Sequence, residues 1–565
     1  MAGNRRQRPL LSSYRKRPLP SSYRKRPLPY DLTAVLRNPQ FVILVEIDWQ
    51  SGTEYYSFQE ERTPTRTYLP LVQSISRISR ESPPIGGEPR IADVRIVLKD
   101  ESRRFTRKKA GEPFHEREVR ILAGDPSYGL SRLNRLYVGK IDKPKFNARF
   151  LTITCKDIAF ERFRFRLGDT VKNLTTNVFP FLPAGTESHM VPIVYGDCGL
   201  DPANLALSTT HEGGGPVPCY RIDPAMGQSK YRYVVAQHVC LSVDRVFIYG
   251  IETSTTNYAI TTATYDGVIM TVIDFNSDPI VSGREAELEV TAAVRGIQDA
   301  SVGMLENPVE VLKDLMNTYF STPNSDLDTP LWDSAISDAR RNTQSFGEGY
   351  KVAFALVDRR LRYTDIIQKL CESCLISFFV TKQSTFGVYI RAAGQTITTS
   401  LTLTDKIEVI RGSFDLELNS HPTLAATLQY NYMYNWVKDY FERQPDYAIP
   451  GEAAKHTVVD RENINLWYVR DIDTAEEVVA QYGDLFRENT DYTTVEVTPD
   501  LFRAAELNRW ADVTHFLGIP VYDLSAGADD AGFVNVDMRI VAMEIEPTPS
   551  KTRVRLRMIR TPGLT

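Results

Sequence analysis

The sequence predicts a mainly β, multidomain protein: antiparallel barrel- or sandwich-like domains with a small α+β helical insert. Three observations carry this. Apolar residues alternate with polar ones along most of the chain, helical spacing of apolar residues begins only after Glu306, and 565 residues with 42% hydrophobic content exceed what one core holds. At roughly 100 to 200 residues per domain the chain holds about three to five cores. The reading divides it into a basic, Pro-rich extended arm with a duplicated nonapeptide (1–34), an N-terminal β domain (35–175), a central β domain (176–300), a helix-containing insert (301–395) and a C-terminal β domain with one capped helix (396–565).

Charge separates the arm from the body. The formal net charge is −4, yet residues 1–30 carry nine Arg or Lys and no acid, which leaves 58 basic and 71 acidic side chains, a net of −13, on the rest. The arm repeats SSYRKRPLP at Ser12–Pro20 and Ser21–Pro29, joining Tyr14, Arg15, Lys16 and Arg17, then Tyr23, Arg24, Lys25 and Arg26, to prolines that fix φ and favour an extended path. Two copies are too few for a solenoid. These residues form either a partner-binding arm, lying in a groove of a neighbouring subunit or touching nucleic acid, or a solvated basic tail.

Six scattered cysteines make no disulfide scaffold, and no apolar run approaches the roughly 18 residues of a membrane span. Asp31, Arg37 and Glu46 interrupt the stretch beyond the basic start, so no secretory h-region is expected, and a reducing, aqueous place of synthesis is.

From Phe41 the pattern is β. Phe41–Trp49 and Glu54–Phe58 read as a hairpin across Ser51-Gly52; Val94, Ile96 and Leu98 alternate with Asp93, Arg95 and Lys99; Glu118–Leu122, Leu136–Gly139 and Leu151–Cys155 add strands. VPIVYGDC, from Val191, gives a short strand stopped by Gly196, and Arg232–Tyr249 gives one or two more, with a long loop from Gly199 to Tyr231 between them. Asn307 reads as an N-cap with Pro308 at the first helical position and Glu310 reaching back, ahead of a stripe of Val311, Leu312, Leu315, Met316 and Tyr319. A second helix is expected from Thr364, and Leu375–Val380 with Gly387–Ile390 reads as a hairpin. Leu424–Tyr432 alternates as a strand, Thr474 with Glu477 reads as a capping box for a helix through Phe486, and strands are expected at Tyr492–Thr498, Asp537–Glu546 and Thr552–Arg560. In the last, Val554, Leu556 and Met558 point one way and Arg553, Arg555 and Arg557 the other, toward a polar channel or toward water.

Four strings in the first half, IADVRIVLKDESRRF, EREVRILAG, LYVGKIDKPKF and FLTITCKDIAFERF, resemble the β domain of tail-tip and baseplate proteins of tailed bacteriophages and gene-transfer agents. NPVEVLKDLMNTYF, WDSAISDAR and RYTDIIQKLCESCLISFFVTKQSTFGVYI resemble the helical insert of phage central hub proteins. The resemblance spans roughly residues 35–560. It implies a structural virion protein, made in the host cytoplasm and placed at the tail tip, which caps the tail tube, surrounds the exit path of tape measure and DNA, and anchors fibres or receptor-binding proteins. It implies self-association, as a trimer, and contacts with a distal ring; DNA passes through without being specifically bound. A hexameric distal-ring component of the same machine, and a host-surface carbohydrate-binding or hydrolytic tail protein, are the alternatives.

Catalytic patterns are missing from the sequence. Cys371 and Cys374 form a C-x-x-C without a second pair and fall on the apolar side of a helix, where buried thiols suffice. Because some similar tail-tip proteins hold an iron–sulfur cluster, Cys198, Cys219 and Cys240 are its candidate ligands, with Cys155 or one of the helix pair needed as the fourth; the expectation is no cofactor. The seven histidines show no paired spacing, Gly213-Gly214-Gly215 runs into Pro216 rather than a Lys-Ser/Thr and helix, and no G-x-S-x-G elbow occurs. Glu476 and Glu477 belong to a solvent-facing helix side. No enzymatic activity is expected.

Overall fold

Strand β1 (Val42–Trp49) turns through Gly52 into β2 (Gly52–Ser57), with Trp49 opposite Gly52 as the Ser51-Gly52 signal requires. These and all later elements come from a computed structural model that describes residues 42–560 with interruptions, the longest at 200–214, 280–289, 451–459 and 516–532. The arm, including Tyr14, Arg15, Lys16, Arg17, Tyr23, Arg24, Lys25 and Arg26, lies outside the described residues.

The first half continues with β3 (Val72–Ile75), β4 (Ile78–Glu81), β5 (Val94–Lys99), β6 (Glu118–Gly124), β7 (Asn134–Phe146) and β8 (Phe150–Asp157). Seven of these strands make one antiparallel sheet in the order β2-β1-β6-β7-β8-β5-β3. Alternation decides the burial: Val94, Ile96, Leu98, Leu151, Ile153 and Cys155 are inside, as their period-2 spacing requires. The expected short strand at Leu136 is instead a 13-residue strand, because a bulge near Tyr137 and another near Asp142 let it bend while pairing β6 and then β8.

The central region contains β9 (Ile193–Tyr195), β10 (Asp197–Cys198), β11 (Val217–Pro224), β12 (Tyr231–Ala236), β13 (Cys240–Ile248), β14 (Tyr258–Tyr265), β15 (Val268–Phe275) and β16 (Val290–Asp299). Its sheet runs β13-β16-β11-β12-β15-β14, with β10 also on β16. The long loop expected between Gly199 and Tyr231 is thus corrected: it contains β11, in which Val217, Cys219, Tyr220 and Ile222 are buried. Pro218, which weakens the strand signal, sits opposite Thr291.

Helices α1 (Pro308–Asp314), α2 (Thr329–Arg340) and α3 (Tyr363–Ser373) form the insert with β17 (Phe354–Leu356) and the hairpin β18 (Ile376–Val380) and β19 (Phe386–Ile390). Asn307 caps α1 by accepting from the amides of Val309 at 3.0 Å and Glu310 at 3.2 Å. Glu310 pairs with Arg340 of α2 rather than closing a capping box, since a guanidinium outcompetes a backbone amide for a carboxylate. A π-helical turn extends α1 through Leu315–Tyr319, and the whole predicted stripe from Val311 to Tyr319 is buried.

The last third adds β20 (Thr399–Thr404), β21 (Asp415–Leu418), β22 (Ala425–Asn435), β23 (Asp460–Asn465), α4 (Ile472–Phe486), β24 (Asp491–Val497), β25 (Trp510–His515), β26 (Phe533–Glu546) and β27 (Arg553–Ile559). The capping box at Thr474 is a second correction. Asp471 accepts from both the amide and the hydroxyl of Thr474 at 2.8 Å, so the helix begins earlier on a carboxylate, which suits the positive helix end better than a hydroxyl. Glu477 accepts from Gln481 instead.

The third sheet runs β20-β25-β26-β27-β24-β21, and β4 leaves the first sheet to pair with β26. The first and third sheets therefore bury one continuous apolar core, in which Val45, Ile96 and Ile153 share contacts with Val513, Ile540 and Leu556. A second core holds the insert together with β22 and α4, and a third lies inside the central sheet.

Candidate functional site

Two regions gather the residues that the sequence singles out. One is the joint at Gly196. β9 pairs with β17 of the insert, β10 pairs with β16 of the central sheet, and Gly196 turns the chain between them at φ +63°. Its amide donates to Leu305 O at 3.1 Å, and its carbonyl accepts from Gly296 at 2.8 Å. The buried Tyr195 hydroxyl donates to Asp314 of α1 at 2.6 Å; burial first, then that carboxylate, holds the phenol far above its ordinary range. The joint is a clamp of backbone and side-chain hydrogen bonds connecting three regions of the fold.

His238 completes the clamp, and nothing in its sequence context marks it. Its Nε2 accepts from the Val194 amide at 3.0 Å while Nδ1 lies 3.3 Å from Val239 O, so the contacts select the neutral tautomer protonated on Nδ1. Burial pulls its pKa down to about 4 from 6.5, against the opposing pull of the Val239 carbonyl. A folded pKa below the unfolded one means that this group's contribution is fully present above about pH 6.5 and is lost as pH falls toward 4. The ring is partly exposed, so the contribution is discounted to roughly 1–2 kcal/mol. Urea midpoints at pH 7, 5.5 and 4 are expected to fall less steeply in His238→Gln than in the native chain; parallel curves would remove the assignment.

Cys198, Cys219 and Cys240 all enter the central core. Cys198 and Cys219 lie opposite Val294 and Val290 on one side of β16, and Cys240 lies opposite Ile297 on the other. All three are buried among Val194, Val217, Val246 and Ala292, and burial pushes the Cys198 and Cys240 thiols up to about 12 and Cys219 further. Such thiols are poor thiolate donors. Among the described residues no group of three or more His, Cys, Asp or Glu side chains is placed to hold a metal ion. Cys155 lies in the other core, and Cys371 and Cys374 are buried in the insert, so no fourth sulfur joins the three.

The second region is the arginine face of β27. The register sets side chains across the third sheet in two rows: Ser79, Glu544, Arg555 and Glu496 in one, and Glu81, Ala542, Arg557, Thr494 and Asp415 in the other. All nine line a cleft of about 580 Å³, together with Ile410 and Ser413. Val554, Leu556 and Met558 are buried on the opposite face, as their parity predicts. The arginines are flanked by carboxylates on both sides. Arg557 pairs with Glu417 at 3.1 Å, Arg77 with Glu544 at 3.0 Å, and Arg553 with Glu496 at 3.9 Å. On the far side of β4 the register sets Arg90 opposite Glu81. The four acids and two arginines of the lining are thus interleaved with Arg77, Arg553 and Arg90 around them, which alternation along β27 alone does not reveal.

No family model and no curated protein sequence matches the chain. Among solved structures it is similar to the tail protein from Neisseria meningitidis MC58, at 8% identity over 93% of this chain and 99% of that one with a TM-score of 0.39. It is similar also to the 43 kDa tail protein of prophage MuSo2 from Shewanella oneidensis, at 8% identity over 94% and 100% with a TM-score of 0.39. A prophage tail protein from Listeria monocytogenes EGD-e aligns at 9% identity over 91% and 94% with a TM-score of 0.38.

Proposed function

We propose that this chain is a structural subunit of a phage tail tip, acting as the central hub that caps the tail tube, surrounds the exit path of DNA and tape measure, and anchors receptor-binding proteins. The observation that carries the reading is the placement of the sequence strings resembling that family. The four strings of the first half contribute β5 to β8, neighbours in one sheet, and the three of the second half build the insert's helices and hairpin. The Gly196 joint that separates them clamps the central sheet to that insert, as a building block transmitting position between rings needs. Carboxylates interleaved with the arginines of β27 deprive that face of the cationic path a polyphosphate needs, which supports passage of DNA without specific binding.

Light scattering of the full chain in solution is expected to give three times 64.0 kDa, whereas a distal ring gives six times that mass. Antibody labelling of particles is expected at the tail tip. Label on the capsid or along the tube, or cleavage of cell-wall polymer by the purified chain, would sink the proposal.

A further inference from the structure

We infer that one end of the first sheet, where the β7–β8 turn meets the helical turn after β5, holds the phosphate backbone of duplex nucleic acid without regard to base sequence. The inference goes beyond the hub reading and does not depend on it. Charge, geometry and the character of the surface converge on it.

Cations gather there against the balance of the chain, which beyond residue 30 carries 58 basic and 71 acidic side chains. Arg103, Arg107, Lys109, Lys145 and Arg149 are exposed and Lys99 is half-buried, and none of the six has an ion-pair partner among the described residues. The acids of this end are mostly engaged. Glu54 lies 3.1 Å from Arg104 and 3.0 Å from Lys108, Glu112 lies 2.7 Å from Lys108, and Asp142 lies between Lys143 and Lys156. Asp100 is buried and accepts from the Phe105 amide at 2.7 Å, which leaves Glu101 as the exposed acid facing six cations. A polyanion therefore meets net positive charge here, unlike on the face of β27.

Local contacts bring the cations together. The Asp100 amide donates to Arg149 O at 2.8 Å, Lys99 sits opposite Phe150 of β8, and the Lys109 ammonium lies 5.3 Å from the centre of the Phe146 ring. Phe105 anchors the helical turn by burying its ring against Trp49 and Tyr56, so Arg103 and Arg107 are left on the solvent side. Asn147 fixes the β7–β8 turn, accepting from the Arg149 amide at 2.9 Å and the Phe150 amide at 2.7 Å.

The surface between these cations selects among polyanions. Among the described residues from Lys99 to Phe150 no large apolar side chain is exposed. A protein interface draws on a buried apolar and aromatic centre, a bilayer site on apolar anchors, and a single strand on aromatic rings that stack with bases. A duplex backbone asks only for cations and hydrogen-bond donors, and Ser102 and Thr152, the latter opposite Lys145, place hydroxyls beside the charges.

The test uses the full chain with the nine Arg and Lys of residues 1–30 replaced by Gln, so that charge on the arm does not mask the patch. A fluorescent DNA duplex of about 20 base pairs is titrated onto it and followed by anisotropy as salt is raised. Two duplexes of unrelated sequence are expected to bind alike. Adding Arg103→Gln, Arg107→Gln, Lys145→Gln and Arg149→Gln is expected to cost at least tenfold in affinity at about 50 mM salt and to make the slope of log affinity against log salt shallower by about 2 to 4. The control makes the same change of charge at the ion-paired Arg62, Arg77, Arg245 and Arg360, each to Gln, and is expected to lose less than threefold. Circular dichroism and the urea midpoint confirm folding; if the fourfold patch variant misfolds, Arg103→Gln with Arg149→Gln serves, with an expected threefold or greater loss and a slope shallower by about 1 to 2. Equal slopes in the patch and control variants, tighter binding to polyglutamate or to phosphatidylglycerol vesicles than to the duplex, or no duplex binding at any salt overturns the inference. None of these outcomes touches the hub reading, which stands or falls on mass and position in the particle.

Discussion

Gly196→Ala is expected to leave almost no soluble folded protein. A Cβ built at this position lies 1.8 Å from Val352 O, 2.8 Å from Val352 C and 2.9 Å from Ala353 Cα, and the backbone sits at φ +63°. The left-handed conformation alone costs an alanine about 1–2 kcal/mol. The clash costs more, because the obstructing atoms are backbone: Val352 N donates to Glu306 O at 2.8 Å and Ala353 N to Tyr468 O at 2.9 Å, so neither can retreat without breaking the clamp elsewhere. A total above about 4 kcal/mol is a large part of a typical folding free energy of roughly 5–15 kcal/mol. Gly267→Ala is the control, since Gly267 also has positive φ, +77°, but nothing lies within 4 Å of its Cβ position. Soluble yield and urea midpoint should separate the two variants widely; equal values would show that the close approach at Gly196 does not matter.

Trp332→Ala is expected to be the most damaging truncation in the insert. The indole on α2 is fully buried, packs edge-on toward Phe378 at 6.5 Å and donates from Nε1 to Phe386 O at 2.9 Å. Removing a fully buried Trp costs about 3–5 kcal/mol, through lost transfer energy and an incompletely collapsed cavity. Phe386 O keeps a second donor, the Asp328 amide at 2.9 Å, so the cost is mostly packing and only secondarily a lost hydrogen bond. Trp332→Phe should recover more than half of the loss in denaturant midpoint. If Phe and Ala behave alike, the hydrogen bond dominates and the packing account fails.

Much of the fold was legible because local signals and burial agree. Ser51-Gly52 marks the first hairpin, Asn307-Pro308 marks α1, and the alternation from Val554 to Met558 gives the correct inward face of β27. The errors occur where a competing partner is remote or charged. Glu310 prefers Arg340 over the cap it could close, and Asp471 displaces Thr474 as the start of α4. Pro218 disguises β11 inside what reads as a loop. Of the cleft only the arginines were visible, because its acids come from β4, β21, β24 and β26, strands whose register with β27 is a property of the sheet and of no single stretch. The role of His238 depends on the amide of Val194, 44 positions away.

The pairing of β4 with β26 has a temporal meaning. Arg77 and Glu544, whose ion pair flanks that junction, are 467 positions apart. At roughly 5–20 residues per second, a ribosome needs on the order of half a minute or more to deliver the partner strand after β4 has emerged. During that interval Ile78 and the apolar side of the first sheet wait without the layer that covers them. The first core therefore cannot close on the N-terminal strands alone; it closes only once β26, more than 450 positions further along, has been made.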